Sequence, residues 1–414
     1  MDYTVHYTVH YNYEGQLDAS IHQSLLLDDS FKKLIINDSN DNSDIIVQKH
    51  STMRNLPSCR LGKEEKKGYA LFRIELTQSS INDCHPTILL STWVTSRCLE
   101  FLDAKDNLYK YIELGNGTKC MPTTRLLPFD VTEIEQFNDK PHLLKGALGS
   151  GGFGLYFVKT KNDIMSIIKW HRIKAEQATG FIDSLHRDFG RVPLWSLQEF
   201  IPSIRVQGNK RCQIRVYVVV CEEHCYYYHT HEVRLPTWDC NLDDELLTSN
   251  TNNNDNDDDD PIDTGDLSSY DKQCCLGTAA RPYNKDRNKK ETHRYLTTEI
   301  EDLKSSSSAV NDCIVRSFNA LKPFIQNQIN EQNKESTNTK RTKLAISGVD
   351  LVLHKTDNDE FEALIVELNN NPAMVGLNKK MSAKFNQHLK QLLSDIVILG
   401  LSNGKVQNNF SLIW

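Results

Sequence analysis

The chain has 414 residues and a formal net charge of −7, and 39% of its residues are hydrophobic. This length suits two or three domains of about 100–200 residues each, and the acidic balance excludes a constitutive nucleic-acid binder, whose surface would be strongly basic. The eleven cysteines follow no spacing typical of secreted disulfide scaffolds, and no apolar run approaches the ~20 residues that cross a bilayer. We therefore expect a cytosolic monomer with free thiols that binds neither nucleic acid nor membrane.

Local patterns in the first third of the sequence predict both strands and helices. The opening YTVHYTVHY is typical of an edge strand or of a frayed low-complexity end, and YALFRIEL and TILLSTWV are typical of strands. FLDAKDNLYKYI predicts a helix with a polar face. PTTRLLPFDVTEIEQF predicts a short helix that follows an Asp/Thr cap.

The rest of the chain continues this mixture. HLLKGALGSGGFGLYFVK predicts two strands joined by a glycine turn, and DIMSIIKWHRIKA after it predicts a helix. Three β-rich runs then predict an antiparallel sheet: SLQEFI, QIRVYVVV and CYYYHTHEVRL. The chain is expected to close with an amphipathic helix in KMSAKFNQHLKQLLSDIVILGL.

The predicted domain organisation is an α+β protein in three parts. Residues 1–125 are expected to form a small N-terminal α/β domain, residues 126–201 a central lobe that carries the glycine turn, and residues 202–414 a C-terminal lobe. Inserts near 241–275 and 328–342 are expected to be disordered, because their polar composition offers too little apolar surface to drive ordering.

The segment around VELNNNPAM predicts a β-hairpin that carries a metal site. If its turn is centred on Asn358 and Asp359, then Asp350 faces Glu367 across the two strands. Two directly opposed carboxylates are unfavourable unless a cation lies between them. Asn369 shares a strand face with Glu367, so three oxygen ligands converge as Mg²⁺ requires. The alternative is a solvated hairpin with an exposed charged face.

A lysine and a glycine turn predict an anion site. Lys145 ends a predicted strand, and Gly149, Ser150, Gly151 and Gly152 follow it. Glycines let the backbone approach a ligand closely, backbone N–H groups in such turns bind anions, and the lysine adds a point charge for a phosphate. An ordinary glycine-rich hairpin turn is the alternative.

Basic residues on later strands predict a second anionic contact. Lys210, Arg211, Arg215 and Arg234 lie between the glycine turn and the hairpin. Buried arginines need an anionic partner, and a triphosphate or an acyl phosphate would supply one. Salt bridges on an exposed sheet face are the alternative.

Together these blocks resemble the ATP-grasp domain of the tubulin-tyrosine ligase-like family, from about Leu126 to the C-terminus. The blocks are Lys145 with its glycine turn, SLQEFIPSIRVQGNKRCQIRVYVVV, Arg234, RYLTT, GVDLVLH and VELNNNPAM. In the N-terminal third only LDAKDNLYKYI is similar to the family, in its Arg/Lys-Lys-Asp segment. The resemblance implies two α+β lobes whose antiparallel sheets clasp ATP.

The resemblance also implies roles for individual residues. Lys145 and the glycine turn would contact the nucleotide phosphates, and Arg211 and Thr297 would also bind the nucleotide. Adenine would lie against a hinge formed by Gln198, Glu199 and Ile201. Arg215 and Arg234 fall where the family's arginines hold phosphate and the acceptor carboxylate, and the magnesium ligands would be Asp350, Glu367 and Asn369.

The activity implied is that of an ATP-dependent carboxylate-amine ligase. Such an enzyme uses ATP and Mg²⁺ to add a free amino acid (tyrosine, glutamate or glycine) to a protein carboxylate through an acyl phosphate, with tubulin as the acceptor and microtubules as a further location. The chain departs from the family pattern at Arg211, Gln213, Tyr295 and Thr298, where the family has lysine, aspartate, histidine and asparagine. These departures leave two alternatives open: a catalytically inactive module that binds a nucleotide or the cytoskeleton, and a ligase that acts on small molecules.

Overall fold

The fold is seen in a computed structural model that describes residues 3–9, 45–50, 72–78, 86–92, 98–134, 137, 140–146, 155–177, 194–207, 210–235, 293–335, 342–370, 372, 383–401, 404–405 and 407–414. These residues form α-helices and mainly antiparallel β-sheets, in agreement with the predicted α+β class. None of the helices in these ranges is long and apolar enough to cross a membrane.

Seventeen strands and four α-helices lie in the described ranges. The strands are Tyr3–Val9 (β1), Ile45–His50 (β2), Phe72–Gln78 (β3), Pro86–Thr92 (β4), Thr124–Leu127 (β5), His142–Gly146 (β6), Leu155–Val158 (β7), Trp195–Glu199 (β8), Arg205–Val206 (β9), Lys210–Arg211 (β10), Gln213–Cys221 (β11), His224–Tyr228 (β12), Glu232–Leu235 (β13), His293–Leu296 (β14), Thr342–Lys355 (β15), Phe361–Asn369 (β16) and Phe410–Leu412 (β17). The helices are Lys105–Leu114 (α1), Lys161–Gln177 (α2), Ser307–Glu335 (α3) and Ala383–Leu401 (α4).

The strands form a large sheet and a four-stranded sheet, together with a separate β9–β10 pair. The large sheet follows the path β14-β13-β11-β15-β4-β3-β1-β2, with β12 on β11, β16 on β15 and β17 on β12. Its neighbours are antiparallel except for the parallel pairs β1–β2 and β4–β15. The smaller sheet has the order β5-β8-β6-β7, and its neighbours are antiparallel. β1 pairs on both sides, so YTVHYTVHY does not supply an edge strand.

The centre of the large sheet is covered on both faces, which explains why β11 is a continuous apolar run. Successive residues of a strand point to opposite faces. One face of β11 packs in a core with α3, through Val216, Val218 and Val220. The other face packs in a core with α4, through Tyr217, Val219 and Cys221.

Helix α3 supplies much of the larger core, although the sequence analysis predicted no helix there. Its apolar residues recur every three or four positions and are buried: Val310, Ile314, Phe318, Leu321, Ile325 and Ile329. The first eight residues of the insert predicted at 328–342 continue this helix. Those residues are therefore not an irregular insert, because Ile329 holds the last turns against the core.

The smaller sheet has its own core, formed against α2. The helix contributes Ile164, Ile167 and Ile168, and the sheet contributes Leu144 and Leu197. These strands span residues 124–199, close to the range predicted for the central lobe.

Two predicted elements differ in the structure. SLQEFI forms β8 of the smaller sheet, so the three β-rich runs do not form one antiparallel sheet. The short helix predicted in PTTRLLPFDVTEIEQF is also wrong over its described part: Thr124–Leu127 form β5 and residues 131–134 are irregular. Leu127 and Ile134 pack into the core of the smaller sheet, and this burial outweighs the local helical signal. The insert predicted near 241–275 lies outside the described residues.

Candidate functional site

Strands β15 and β16 form the predicted hairpin and bring its polar residues together. Asp350 faces Glu367, as the sequence predicts, and Asn369 faces Gly348. The Asn369 amide Nδ2 donates a hydrogen bond of 3.1 Å to Asp350 Oδ2. Two of the three predicted metal ligands are thus in direct contact, and the third lies opposite one of them.

The turn of this hairpin differs from the predicted one. Five residues, 356–360, join the strands in place of a two-residue turn at Asn358 and Asp359. The longer loop shifts the register by one residue, and a bulge at Val366 shifts it back before Glu367. Because a bulged residue is left out of the regular ladder, its carbonyl is available for other donors.

Arg215 on β11 holds the Asp350 carboxylate. Its Nε and Nη2 donate to Asp350 Oδ1 and Oδ2, both at 2.6 Å, and both side chains are buried. Burial would lower the pKa of Arg215, but the carboxylate of Asp350 raises it above its ordinary value. A Cβ at Gly348 would lie 3.1 Å from Arg215 Cδ and Nε. The Arg215 side chain therefore fits against β15 because residue 348 is a glycine.

A second buried carboxylate, Glu232, lies next to this pair. Arg234 Nε donates to its Oε1 at 2.8 Å, and Arg294 Nη1 lies 3.2 Å from the same oxygen. Tyr217 Oη donates to Oε2 at 2.8 Å. Burial alone would raise the pKa of Glu232, but Arg234, Arg294 and Arg215 lower it to about 2, so the carboxylate is ionised.

The arginines of this cluster outnumber its carboxylates. Arg215 and Asp350 neutralise each other, which leaves the single charge of Glu232 to be shared by Arg234 and Arg294. Within the described part of the chain, the buried Arg234 Nη2 forms no hydrogen bond, and the buried Arg294 Nη1 has the 3.2 Å ion pair with Glu232 but no well-aligned hydrogen bond. A buried excess of positive charge favours an anionic ligand.

Lys145 on β6 is a buried cation surrounded by neutral oxygens. Its Nζ donates to Gln198 Oε1 at 2.6 Å, to Tyr109 Oη at 2.9 Å and to the bulged Val366 carbonyl at 3.3 Å. Among the described residues no carboxylate forms an ion pair with it. Burial lowers the pKa of Lys145 to about 7, although the charge of Glu367 acts in the opposite direction.

Helix α1 supplies site residues that the sequence analysis did not assign. Tyr109 Oη donates to the Val366 carbonyl at 2.8 Å, and Lys105 Nζ lies 3.2 Å from Glu367 Oε1. Asp103, just before the helix, accepts a 3.0 Å hydrogen bond from the backbone of Asn370. The one signal that could have found them was the similarity of LDAKDNLYKYI to a segment of the family. Arg294 and Tyr217 lie in the blocks RYLTT and QIRVYVVV of the resemblance, where no role was assigned to them, and Glu232 lies outside every such block.

The three residues of the predicted adenine hinge make different contacts. Gln198 contacts Lys145 and donates from Nε2 to Thr124 Oγ1 at 3.1 Å. Glu199 accepts a 2.8 Å hydrogen bond from Lys140, and this contact lowers its pKa. Ile201 is half-buried just after the strand. Only Gln198 of these three residues contacts another predicted site residue.

The remaining predicted residues lie at the margins of the site or outside the described ranges. Arg211 is buried with its guanidinium 4.7 Å from the centre of the Phe200 ring. Thr297 is buried and its backbone N–H donates to the carbonyl of His231, the residue before Glu232. The glycine turn with Gly149, Ser150, Gly151 and Gly152 lies outside the described residues.

The chemistry of the hairpin residues fits a hard divalent cation, but their present contacts are with cations of the protein. Asp350, Glu367 and Asn369 carry the oxygen ligands that Mg²⁺ prefers. Asp350 is bound by Arg215 and Glu367 by Lys105, so a metal ion would have to compete with both. Within the described ranges, no group of three or more His, Cys, Asp or Glu side chains is arranged to hold a metal. Searches against models of known protein families and against curated proteins gave no match for this chain.

Proposed function

We propose that the chain is an ATP-dependent carboxylate-amine ligase with an ATP-grasp fold, which adds an amino acid to a protein carboxylate, with tubulin as the acceptor. The observation that carries the proposal is the environment of Lys145. Among the described residues, the oxygens that contact this buried ammonium are neutral, which is costly, as its lowered pKa indicates. A phosphate oxygen beside it would supply the missing negative charge.

The position of Lys145 supports a nucleotide phosphate as that anion. It belongs to the smaller sheet, while Val366 and Glu367 belong to the large sheet, so the ammonium lies where the two sheets meet. The glycine turn follows Lys145 directly in the sequence. A ligand held there would contact both sheets, which is the arrangement expected of an ATP-grasp protein.

The pair Arg234 and Arg294 supports a second, anionic substrate group. The two guanidinium groups face each other across β13 and β14 and share one carboxylate. A substrate carboxylate would balance their charge and accept hydrogen bonds from the buried Nη groups. We assign this role to the carboxylate that is to be activated, and the arginines would hold it in line with the transferred phosphoryl group.

Asp350, Glu367 and Asn369 would hold Mg²⁺. When bound, the ion neutralises charge on the phosphoryl group and so helps to form the acyl phosphate that the amine then attacks. Arg215 would release one or both of its contacts with Asp350 in that state, and Lys105 would release Glu367. The free guanidinium and ammonium groups would then lie close to the phosphates.

A second candidate is a catalytically inactive module that binds a nucleotide or the cytoskeleton. It is favoured by one observation: both carboxylates of the proposed metal site are already paired with Arg215 and Lys105. In such a module these ion pairs would persist and hold the β15–β16 hairpin against β11 and α1.

The test is amino-acid-dependent ATP turnover with purified protein. We expect ADP release in the presence of Mg²⁺, an amino acid and tubulin, and a matching mass increase on tubulin in mass spectrometry. Lys145→Ala and Glu367→Gln should each lower the rate by 10²–10³-fold, about 2.7–4 kcal/mol of barrier, as for the loss of one oxyanion donor. Lys161→Ala, a surface lysine of the same lobe, serves as the matched control and should leave the rate unchanged.

The outcomes separate the candidates. Turnover that needs an amino acid but no protein acceptor would indicate a small-molecule ligase. Nucleotide binding without turnover under any condition would support the inactive module. Absence of nucleotide binding, with the fold intact, would refute the whole assignment.

A further inference from the structure

A cavity of about 480 Å³ lies away from the candidate ligase site. It is formed between the segment that follows α1 and one face of α3. Its lining residues are Gly115, Asn116, Gly117, Thr118, Lys119, Cys120, Arg316, Asn319 and Ala320. Lys119 and Arg316 place positive charge at the edge of this cavity. Cys120 is the one cysteine among its lining residues.

A second thiol lies next to Cys120. Cys313 on α3 donates from Sγ to the Cys120 carbonyl at 3.6 Å. Ser317, one turn further along α3, lies with its hydroxyl 3.9 Å from Cys313 Sγ. Cys313, Arg316 and Ser317 are spaced three and four residues apart, so they are neighbours on one side of α3, and Arg316 among them lines the cavity.

The surroundings of Cys120 favour its thiolate. Hydrogen bonding with the Cys313 side chain is the largest cause that lowers the pKa of Cys120, and Ser317 and Arg316 act in the same direction, whereas burial and Asp312 act against it. The same contact raises the pKa of Cys313. The pKa of the thiol is raised, by contrast, at Cys212, Cys221, Cys225 and Cys313. Burial raises the pKa of Cys212 to about 12, and it holds the pKa of Cys225 well above its ordinary value.

We propose that Cys120 is a peroxide-reactive thiol and that Cys313 is its resolving partner, so that the two form a reversible disulfide. The Cys120 thiolate attacks one oxygen of hydrogen peroxide, the O–O bond breaks, and hydroxide leaves as water after it takes up a proton. The resulting sulfenic acid is attacked by Cys313, which forms the S–S bond and releases a second water. Two thiols are oxidised and one peroxide is reduced to two waters.

The pair Cys98 and Cys225 provides an internal control. These two side chains are also near each other, since the charge of Cys98 contributes to the raised pKa of Cys225. Proximity alone would therefore predict oxidation of both pairs. Of these four thiols, Cys120 lines the cavity, whereas Cys98 and Cys225 are fully buried, so access from solvent predicts oxidation of the Cys120–Cys313 pair.

The oxidised bond would join two elements that support the candidate site. Cys120 lies six residues beyond the end of α1, the helix that carries Lys105 and Tyr109, while Cys313 lies on α3. The inference itself does not depend on the ligase proposal, because thiol oxidation can be measured without turnover.

The experiment treats the full chain with hydrogen peroxide at pH 7, blocks the remaining thiols and maps linkages by mass spectrometry of unreduced peptides. We expect a Cys120–Cys313 linkage that dithiothreitol reverses. In Cys313→Ser, dimedone should trap a sulfenic acid on Cys120, and in Cys120→Ser, Cys313 should remain reduced. No linkage, a preference for Cys98–Cys225, or an unmodified Cys120 in Cys313→Ser would overturn the proposal.

A pH profile supplies a second measurement on the unmodified protein. Alkylation of Cys120 by iodoacetamide should follow a midpoint well below the pKa of about 8.5 of an ordinary cysteine, because only the thiolate reacts and the pKa of Cys120 is lowered. At pH 6 we expect it to react at least about tenfold faster than Cys212 or Cys225. A midpoint above pH 8 would contradict an activated thiol.

Discussion

Two buried basic side chains of this molecule have opposite surroundings. Arg215 is matched by the carboxylate of Asp350 through two short hydrogen bonds, and its pKa is raised. Lys145 is surrounded by the neutral oxygens of Tyr109, Gln198 and Val366, and its pKa falls to about 7.

The difference indicates which cation is available for a ligand. A guanidinium held by both oxygens of a buried carboxylate forms a structural pair, and removal of either partner leaves an uncompensated charge. An ammonium whose partners among the described residues are neutral oxygens gains stability from an anion that approaches. The comparison therefore predicts that the Arg215–Asp350 pair contributes more to the stability of the unliganded protein and that Lys145 is the cation more available to a ligand, and four predictions test this division.

The largest effect is expected for Asp350→Ala. The substitution leaves the buried Arg215 without its carboxylate and should lower the free energy of unfolding by about 4 kcal/mol, measured by urea denaturation. The double variant Arg215→Met with Asp350→Leu, which removes both charges, should recover most of this loss. A double variant as unstable as Asp350→Ala would show that the ion pair is not the cause.

Glu232→Gln should have the next largest effect. It should lower the free energy of unfolding by about 3 kcal/mol at pH 6, because Arg234 and Arg294 lose their shared negative partner. The folded-state pKa of Glu232, about 2, lies below the unfolded value of about 4.3, so its stabilisation is complete above the unfolded pKa. It is lost as the pH falls from about 4 to 2. The difference in the free energy of unfolding between wild type and Glu232→Gln should accordingly be smaller at pH 3 than at pH 6. A difference that stays constant with pH would argue against an ionised Glu232.

Lys145 should show a pH dependence in the alkaline range. Its folded-state pKa of about 7 lies below its unfolded value, so the unfolded chain binds more protons between about pH 7 and 10 and stability rises with pH there. Between pH 7 and 8, the free energy of unfolding of the wild type should rise by about 1 kcal/mol relative to that of Lys145→Met. A bound nucleotide should raise the pKa and abolish this gain, and a gain that persists at saturating ATP would place the phosphates elsewhere.

The smallest effect is expected for an exposed pair in the turn of the same hairpin. Lys355 Nζ lies 2.5 Å from Asp359 Oδ1, but both side chains are exposed. Lys355→Ala should change the free energy of unfolding by less than about 0.5 kcal/mol, and the change should vanish in high salt. A loss comparable to that of Asp350→Ala would mean that burial does not govern these ion pairs.

Much of the secondary structure could be predicted from local patterns, and the exceptions have physical causes. The β-rich run QIRVYVVV and the patterns of the hairpin strands were sufficient to predict β11, β15 and β16. Helix α3 also had a readable period in Val310, Ile314 and Phe318, but its serine-rich start and polar end obscured the pattern. The assignment of SLQEFI to the wrong sheet arose because a strand pattern does not specify its neighbours.

The site was predicted in part. Asp350 facing Glu367 follows from the hairpin alone, yet the assumed turn was wrong and the bulge at Val366 restored the pairing. That bulge, which no residue type in the segment indicated, frees the carbonyl that Lys145 and Tyr109 bind.

The sequence by itself determined the strands, their faces and the oxygen-rich end of β16, because these depend on neighbours within a few residues. Only the tertiary structure decided that Asp350 binds Arg215, 135 residues away, and that Lys145 meets the carbonyl of Val366, 221 residues away. Such contacts depend on how two sheets and helix α1 pack together. The free energy of that packing is summed over many buried side chains, and no short pattern records it.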